Sequence, residues 1–242
     1  MEKILADQTL RFSSLADFND PYEYNKKPPG VQLKDGGEDI NKILDRTRTE
    51  YESIYHPLCN IICFTQFLKI PSTNSLFSAP FAKPRQWAQY GEAQNGICLG
   101  FSKEALLENI KRKFPDFTLF KGQVEYTLDF KPYSEKYTVS INQSLSIADN
   151  IMAHFNSYKD DCFFRKYHDF KEENEYRIVL IDTSRQESGY VYCPTDDALK
   201  HIIMGDRFNE VYYPTMKNLA QKNGATLGKL SYDHSPSLER IT

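Results

Sequence analysis

The sequence lacks the features that mark several common protein classes. No apolar run approaches the length of about 20 residues that crosses a bilayer. The N-terminus carries acidic Glu2 and Asp7 and has no apolar core of the secretory kind. The formal net charge is −3 over 242 residues, whereas a dedicated duplex-binding protein normally has a basic face. We therefore expect a cytoplasmic protein with no membrane segment, and the charge argues against duplex nucleic acid as a partner.

Cysteine is scarce, and its positions suggest neither a disulfide framework nor a metal site. The five cysteines are odd in number and lie mostly in apolar, strand-like stretches, which is typical of buried thiols in a reducing compartment. His56, Cys59 and Cys63 lack the second cysteine pair of a zinc site, so we predict no metal. The sequence also has no glycine-rich phosphate loop and no serine elbow.

What the sequence does contain is a series of short apolar strands and amphipathic helices. Hydrophobic residues make up 40% of the chain, which at this length supports a full core. Nothing repeats and no linker divides the chain. We therefore predict a single α+β domain over residues 1–242, with a mixed, mainly antiparallel central sheet flanked by helices. Stretches rich in proline, glycine and polar residues predict loop insertions at about 26–37 and 68–81.

The strongest candidate for a functional site is the stretch 172–181. It ends in the apolar run 178–181, which predicts a strand with a buried end. Glu173, Glu175 and Arg177 lie two residues apart, so on an extended backbone all three point to the same face. Two carboxylates beside a guanidinium change one another's pKa values, as in sites tuned for catalysis or ligand binding. The alternative is a solvated strand face with a surface ion pair worth under about 1 kcal/mol.

Two stretches near the N-terminus supply further candidate ligand-binding residues. Leu10–Ser14 predicts a short strand with Arg11 and Ser13 on one face. In the following turn, Asn19 and Asp20 bond their own backbone, and the next residue, a proline, keeps Asp20 out of the helical region. Such a turn can present both side chains rigidly to a cleft, although it can also serve only to reverse the chain.

The only tryptophan lies on a predicted short helix. Pro84 at its first turn and Gly91 at its end frame this helix, and Trp87 and Tyr90 lie three residues apart on one face. Two alternatives follow for this face. It either stacks on a flat ring of a ligand or anchors the core, since aromatic side chains do both.

Several segments spread over nearly the whole chain occur in the order known from one family. They are Leu10-Arg11-Phe12-Ser13-Ser14, Phe18-Asn19-Asp20-Pro21-Tyr22-Glu23, Cys63-Phe64-Thr65, Gln86-Trp87-Ala88-Gln89-Tyr90-Gly91, Gly96-Ile97-Cys98-Leu99-Gly100-Phe101, Glu173-Asn174-Glu175-Tyr176-Arg177 and Ile202-Ile203-Met204-Gly205. Together they resemble the bacterial family known as domain of unknown function 2971. Members usually begin with a short strand containing tyrosine and arginine, and this sequence starts just after that point. If that segment is absent, the resemblance implies that a substrate-binding strand is missing.

The candidate residues are also similar, more distantly, to the site of ADP-ribosyltransferases, in which a strand carries a Glu-x-Glu pair. This similarity implies NAD as a co-substrate and Glu175 as the catalytic carboxylate, which stabilises an oxocarbenium-like centre. It also implies that Glu173 orients the acceptor and that Arg11 grips the pyrophosphate. Trp87 or Tyr90 would stack on a ring.

The competing hypothesis is a non-catalytic module that binds a nucleotide-like ligand or a partner chain, for example in a defence or toxin system. Its cleft would use the candidate ligand-binding residues, namely Arg11, Ser13, Asn19, Asp20, Trp87, Tyr90 and Arg177. Both hypotheses require Arg11, Trp87 and Glu175 to meet around one small polar ligand. Turnover of NAD distinguishes the two hypotheses.

Overall fold

A computed structural model of the protein describes residues 2–18, 30–33, 40–66, 79–128, 135–184 and 189–241. The helices in these ranges are α1 (Glu2–Asp7), α2 (Ile40–Tyr55), α3 (Pro84–Tyr90), α4 (Lys103–Lys113), α5 (Ile147–Phe163) and α6 (Tyr213–Lys222). The strands are β1 (Thr9–Ser14), β2 (Gly30–Leu33), β3 (Cys59–Thr65), β4 (Ile97–Phe101), β5 (Thr118–Gln123), β6 (Glu125–Thr127), β7 (Thr138–Ile141), β8 (Arg165–Tyr167), β9 (Glu175–Ile181), β10 (Val191–Pro194), β11 (Leu199–Met204), β12 (Thr226–Ser231) and β13 (Ser237–Ile241). The predicted α+β class is confirmed, with the strands distributed over several mainly antiparallel sheets.

The chain forms two compact units, each built from separate segments. Unit 1 comprises Met1–Leu10, Gln66–Pro115 and Tyr192–Thr242, and unit 2 comprises Arg11–Thr65 and Asp116–Val191. The single domain over residues 1–242 therefore stays a prediction. In the first predicted loop, Gly30–Leu33 instead forms β2, because Val31 and Leu33 pack on the core of unit 2. Residues 68–78 of the second predicted loop lie outside the described ranges.

The sheet of unit 2 contains the candidate carboxylate strand as an interior strand. Strand β9 pairs antiparallel with β3 on one side and with β5 on the other, and β3 also pairs with β1. In the register of these strands, Ser13 lies opposite Ile61, Ile61 opposite Val179, and Val179 opposite Phe120. Every residue of β9 is buried, so both faces of the sheet are covered at this strand.

Helices α2 and α5 contribute to the main core of unit 2 together with one face of this sheet. The core residues are Leu15, Ile43, Tyr51, Ile54, Tyr55, Leu58, Cys59, Ile61, Phe120, Val139, Ile141, Ile151, Phe155, Cys162, Phe163, Phe164, Val179 and Ile181. Helix α5 begins where the Ser146 hydroxyl accepts a hydrogen bond from the Asp149 amide, which is a standard N-cap. The buried Tyr55 hydroxyl donates to the Cys162 carbonyl at 3.1 Å, so a backbone group satisfies it.

Unit 1 is built around the four-stranded sheet β13-β12-β11-β4, in which only β11 and β12 run parallel. Its main core combines this sheet with residues of α1 and α6, and consists of Leu5, Leu199, Ile202, Met204, Met216, Ala220 and Leu227. Ser102 caps helix α4 by accepting a hydrogen bond from the Ala105 amide. Across the described ranges of both units, no helix has the length and apolar character needed to cross a membrane.

Candidate functional site

The candidate strand starts later than the sequence pattern indicates. Strand β9 begins at Glu175, whereas Glu173 is the last residue of the 3₁₀ helix His168–Glu173. Asn174 between them has φ 45° and ψ 54°, a left-handed conformation that asparagine tolerates better than most residues. The prediction that Glu173, Glu175 and Arg177 share one extended strand face is therefore wrong for Glu173. Tertiary contacts bring these three side chains together instead.

Four side chains of unit 2 are joined by ion pairs into what we call the four-charge cluster: Lys166, Glu173, Glu175 and Arg177. Arg177 binds Glu175 through two bonds, Nε to Oε1 at 2.5 Å and Nη2 to Oε2 at 3.1 Å. Lys166 Nζ lies 2.7 Å from Glu173 Oε2 and 3.3 Å from Glu175 Oε2. The cluster thus contains two carboxylates and two cations, and its formal charge is zero.

The cluster is buried, and this decides how strongly its charges interact. Glu175 is 4% exposed and Arg177 is 1% exposed. Arg177 Nη1 also donates to the Phe163 carbonyl at 3.0 Å. Burial alone would raise the pKa of Glu175, but Arg177, Lys166 and a hydrogen bond from Cys63 outweigh it and lower that pKa to about 2. Glu175 is therefore a carboxylate throughout the neutral pH range.

Two further side chains position the cluster. In the parallel pair of strands β6 and β8, Tyr126 lies directly opposite Lys166. The Tyr126 hydroxyl accepts a hydrogen bond from the Glu175 backbone N–H at 2.9 Å, which fixes the start of β9. Burial raises the pKa of Tyr126 to about 12, so its hydroxyl stays protonated and can still donate. Lys166 Nζ also lies 4.5 Å from the centroid of the Phe170 ring, within the range of a cation–π contact.

No pattern in the sequence points to Lys166, Tyr126 or Phe170 as part of a site. Lys166 and Tyr126 are separated from Glu175 by 9 and 49 residues, and strand pairing brings them together. The one available signal was a lysine just ahead of an acidic stretch, which by itself is an ordinary surface pattern. Cys63 was also missed: it lies in an apolar run but is exposed, and it lies opposite Arg177 in the β3–β9 register.

Strand β1 has the predicted alternation of faces. Leu10 and Phe12 are buried, Arg11 is exposed and Ser13 is half-buried. The Arg11 guanidinium carbon lies 4.4 Å from the centroid of the half-exposed Tyr190 ring.

The strand register also relates β1 to the candidate carboxylate. Directly opposed residues of antiparallel strands point to the same face of the sheet. Arg11 and Ser13 therefore lie on the sheet face that also carries Glu175 and Arg177.

The remaining candidates lie in unit 1 or outside the described ranges. Trp87 is buried with Ile203, and its indole N–H donates to the Phe81 carbonyl at 2.6 Å, so it anchors the core of unit 1. Tyr90 is 64% exposed. Asn19 and Asp20 fall outside the described residues. The gathering of Arg11, Trp87 and Glu175 around one ligand stays a prediction.

Within the described parts of the chain, no group of three or more histidine, cysteine, aspartate or glutamate side chains could hold a metal ion. The five cysteines are all free thiols.

Comparison with known proteins finds a match between part of the chain and a family model without an assigned activity. Residues 86–178 match the family model described as protein of unknown function (DUF2971). This region contains the 86–91 and 173–177 segments, so the resemblance to that family is confirmed there. No curated protein and no solved structure matches the chain.

Proposed function

We propose that the protein is a non-catalytic binding module for a nucleotide-like ligand, and that the four-charge cluster braces unit 2 instead of reacting. The observation that carries this proposal is the state of Glu175. Arg177 and Lys166 occupy its two oxygens, and 4% of the residue is exposed. A catalytic carboxylate has to come within hydrogen-bond reach of its substrate. Two adjacent cations also cancel much of the field that Glu175 would apply to a developing positive charge.

Arg11 and Tyr190 provide a surface suited to such a ligand. Arg11 is exposed, lies over the Tyr190 ring at 4.4 Å, and pairs with no carboxylate in the described part of the chain. A planar guanidinium binds phosphate oxygens through two parallel bonds, and a half-exposed phenol ring can stack on a base. The ligand class that fits both groups combines a phosphate with a flat ring.

The second candidate function is an NAD-dependent ADP-ribosyltransferase. It is favoured by one specific observation, since Glu175 is held ionised with the Glu173 carboxylate close by on a shared lysine. In this case Glu175 is the catalytic carboxylate and Glu173 orients the acceptor.

Calorimetric titration with ADP, together with an assay of nicotinamide release from NAD in the presence of cell lysate, tests both functions. We expect saturable ADP binding and no release of nicotinamide. Arg11→Gln should weaken ADP binding by about tenfold or more, because charge-assisted hydrogen bonds contribute about 1.5–3 kcal/mol. Arg48→Gln, which removes an exposed arginine of α2, is the matched control and should leave the affinity unchanged. Absence of ADP binding rejects the binding module, and nicotinamide release that is lost in a folded Glu175→Gln variant establishes the enzyme.

A further inference from the structure

We propose that Glu173 is an internal stand-in for an anionic ligand group, and that a phosphate-bearing ligand displaces it from Lys166. The contact between Lys166 and Glu173 is then autoinhibitory, and Lys166 is the oxyanion subsite that it keeps closed. This inference rests on the proposed function for the class of ligand, a nucleotide-like molecule. It adds a subsite and a mode of regulation that the sequence patterns do not indicate.

The first support is the way in which Glu173 reaches Lys166. Glu173 lies at the end of a short 3₁₀ segment, His168–Glu173, which we call the strap. At 2.7 Å, its contact with Lys166 is closer than the 3.3 Å contact between Lys166 and Glu175. A 3₁₀ helix has poorer hydrogen-bond geometry than an α-helix, so its backbone hydrogen bonds hold such a segment less firmly.

The second support is the hinge that follows the strap. Asn174 has a left-handed backbone, and Glu175 directly after it is fixed in β9 and held by the Tyr126 hydroxyl. Movement of the strap about Asn174 would withdraw Glu173 and leave Glu175 in place. Left-handed residues other than glycine are found preferentially at ligand clamps and switch regions.

The third support is the environment that Glu173 would vacate. Lys166 Nζ would remain 3.3 Å from Glu175 Oε2, and opposite Lys166 the Tyr126 hydroxyl can still donate a hydrogen bond. An ammonium group with a neighbouring hydroxyl donor is an oxyanion-binding arrangement. A ligand anion that takes the place of the Glu173 carboxylate would keep Lys166 paired, so the exchange does not break the buried ion pair without replacing it.

The test uses the full chain and two probes, ADP and inorganic pyrophosphate. Glu173→Gln removes the internal competitor and should tighten binding of both probes by about tenfold. In the wild type, only the fraction of molecules in which Glu173 has left Lys166 can bind a probe there, and this fraction limits the apparent affinity. Asp169→Asn, an exposed acid on the same strap, is the matched control and should change nothing. Adding Lys166→Met to Glu173→Gln should abolish the gain. A role of Glu173 only in stability predicts unchanged or weaker binding in Glu173→Gln, and either result overturns the proposal.

Amide hydrogen exchange gives a second, independent measurement on the wild-type chain. Saturating pyrophosphate should accelerate exchange in residues 168–174 and leave residues 176–180 of β9 unchanged. Slower or unchanged exchange in the strap overturns the displacement. The outcomes also separate this inference from the proposed function: ADP binding that depends on Arg11 but not on Glu173 retains the binding module and rejects the stand-in. If Glu173→Gln gains pyrophosphate binding but the protein does not bind ADP, the displacement of Glu173 is retained and the binding module is rejected.

Discussion

Replacing Glu175 by glutamine tests the central physical claim about the four-charge cluster. The substitution keeps the shape of the side chain and removes its charge, so Arg177 loses the carboxylate to which its Nε and Nη2 groups donate. Arg177 is 1% exposed and has no access to water as a replacement partner. The expected result is a large loss of stability with little change in the packed shape of the core.

The magnitude follows from the structure in two ways. Lowering the pKa of Glu175 from 4.5 to about 2 corresponds to roughly 3 kcal/mol, because one pKa unit is about 1.4 kcal/mol. Removing one partner of a buried ion pair typically costs about 3–5 kcal/mol. Both values exceed the limit of about 1 kcal/mol for a surface pair. Because the folded pKa is depressed, this stabilisation is complete above pH 4.5 and is lost as the pH falls through about 2.

Urea denaturation followed by far-UV circular dichroism measures the effect. The free energy of unfolding of Glu175→Gln should be about 3 kcal/mol lower than that of the wild type at pH 7. This difference should become smaller as the pH falls from 4.5 towards 2. Glu52→Gln, which changes an exposed glutamate of α2, is the control and should cost less than about 0.5 kcal/mol. Adding Arg177→Met to Glu175→Gln should recover part of the lost stability, because it removes the buried cation that has lost its carboxylate. A cost under about 1 kcal/mol at pH 7 with no pH dependence would refute the reasoning.

Three further predictions concern other parts of the chain. Gly205→Ala would place a Cβ 2.2 Å from the Gln94 carbonyl oxygen and should destabilise unit 1 by about 1–3 kcal/mol or more in thermal unfolding, whereas Gly189→Ala, with nothing within 4 Å, should be nearly neutral. Ala93 has φ 51° and ψ 44°, so Ala93→Gly should stabilise by about 1 kcal/mol in urea denaturation, and a loss of stability would contradict the strain. Burial lowers the pKa of His154 from 6.5 to about 4, so the wild type should lose stability as the pH falls from 6.5 to 4. His154→Gln should flatten that part of the pH–stability profile, and an unchanged slope would count against a buried neutral histidine.

The features that the sequence determined are those with a local physical cause. Strand β1 shows the predicted faces because side chains alternate along any extended backbone, so Arg11 is exposed and Phe12 is buried. The apolar run 178–181 had to be buried, and it forms the C-terminal half of β9. The α+β class followed from the same periodicities, and the resemblance to the family of unknown function is confirmed over residues 86–178.

Other features depend on contacts between distant segments, and the sequence alone does not predict them. Asn174 interrupts the predicted strand, and nothing in the spacing of Glu173 and Glu175 reveals a left-handed residue between them. Lys166 joins the two carboxylates only because β8 pairs with β6 and the strap then turns back towards β9. The sequence allowed Trp87 to face either a ligand or the core, and in the structure it is buried beside Ile203 in the core.

The same distinction applies to the energetics of the site. The sequence determined that opposite charges would lie close together near residue 175, because their spacing is local. Whether that proximity contributes a fraction of a kcal/mol or several depends on how much water surrounds the charges. Only the assembled sheet and the core against one of its faces exclude that water, and they convert a common surface pattern into a buried, ionised cluster.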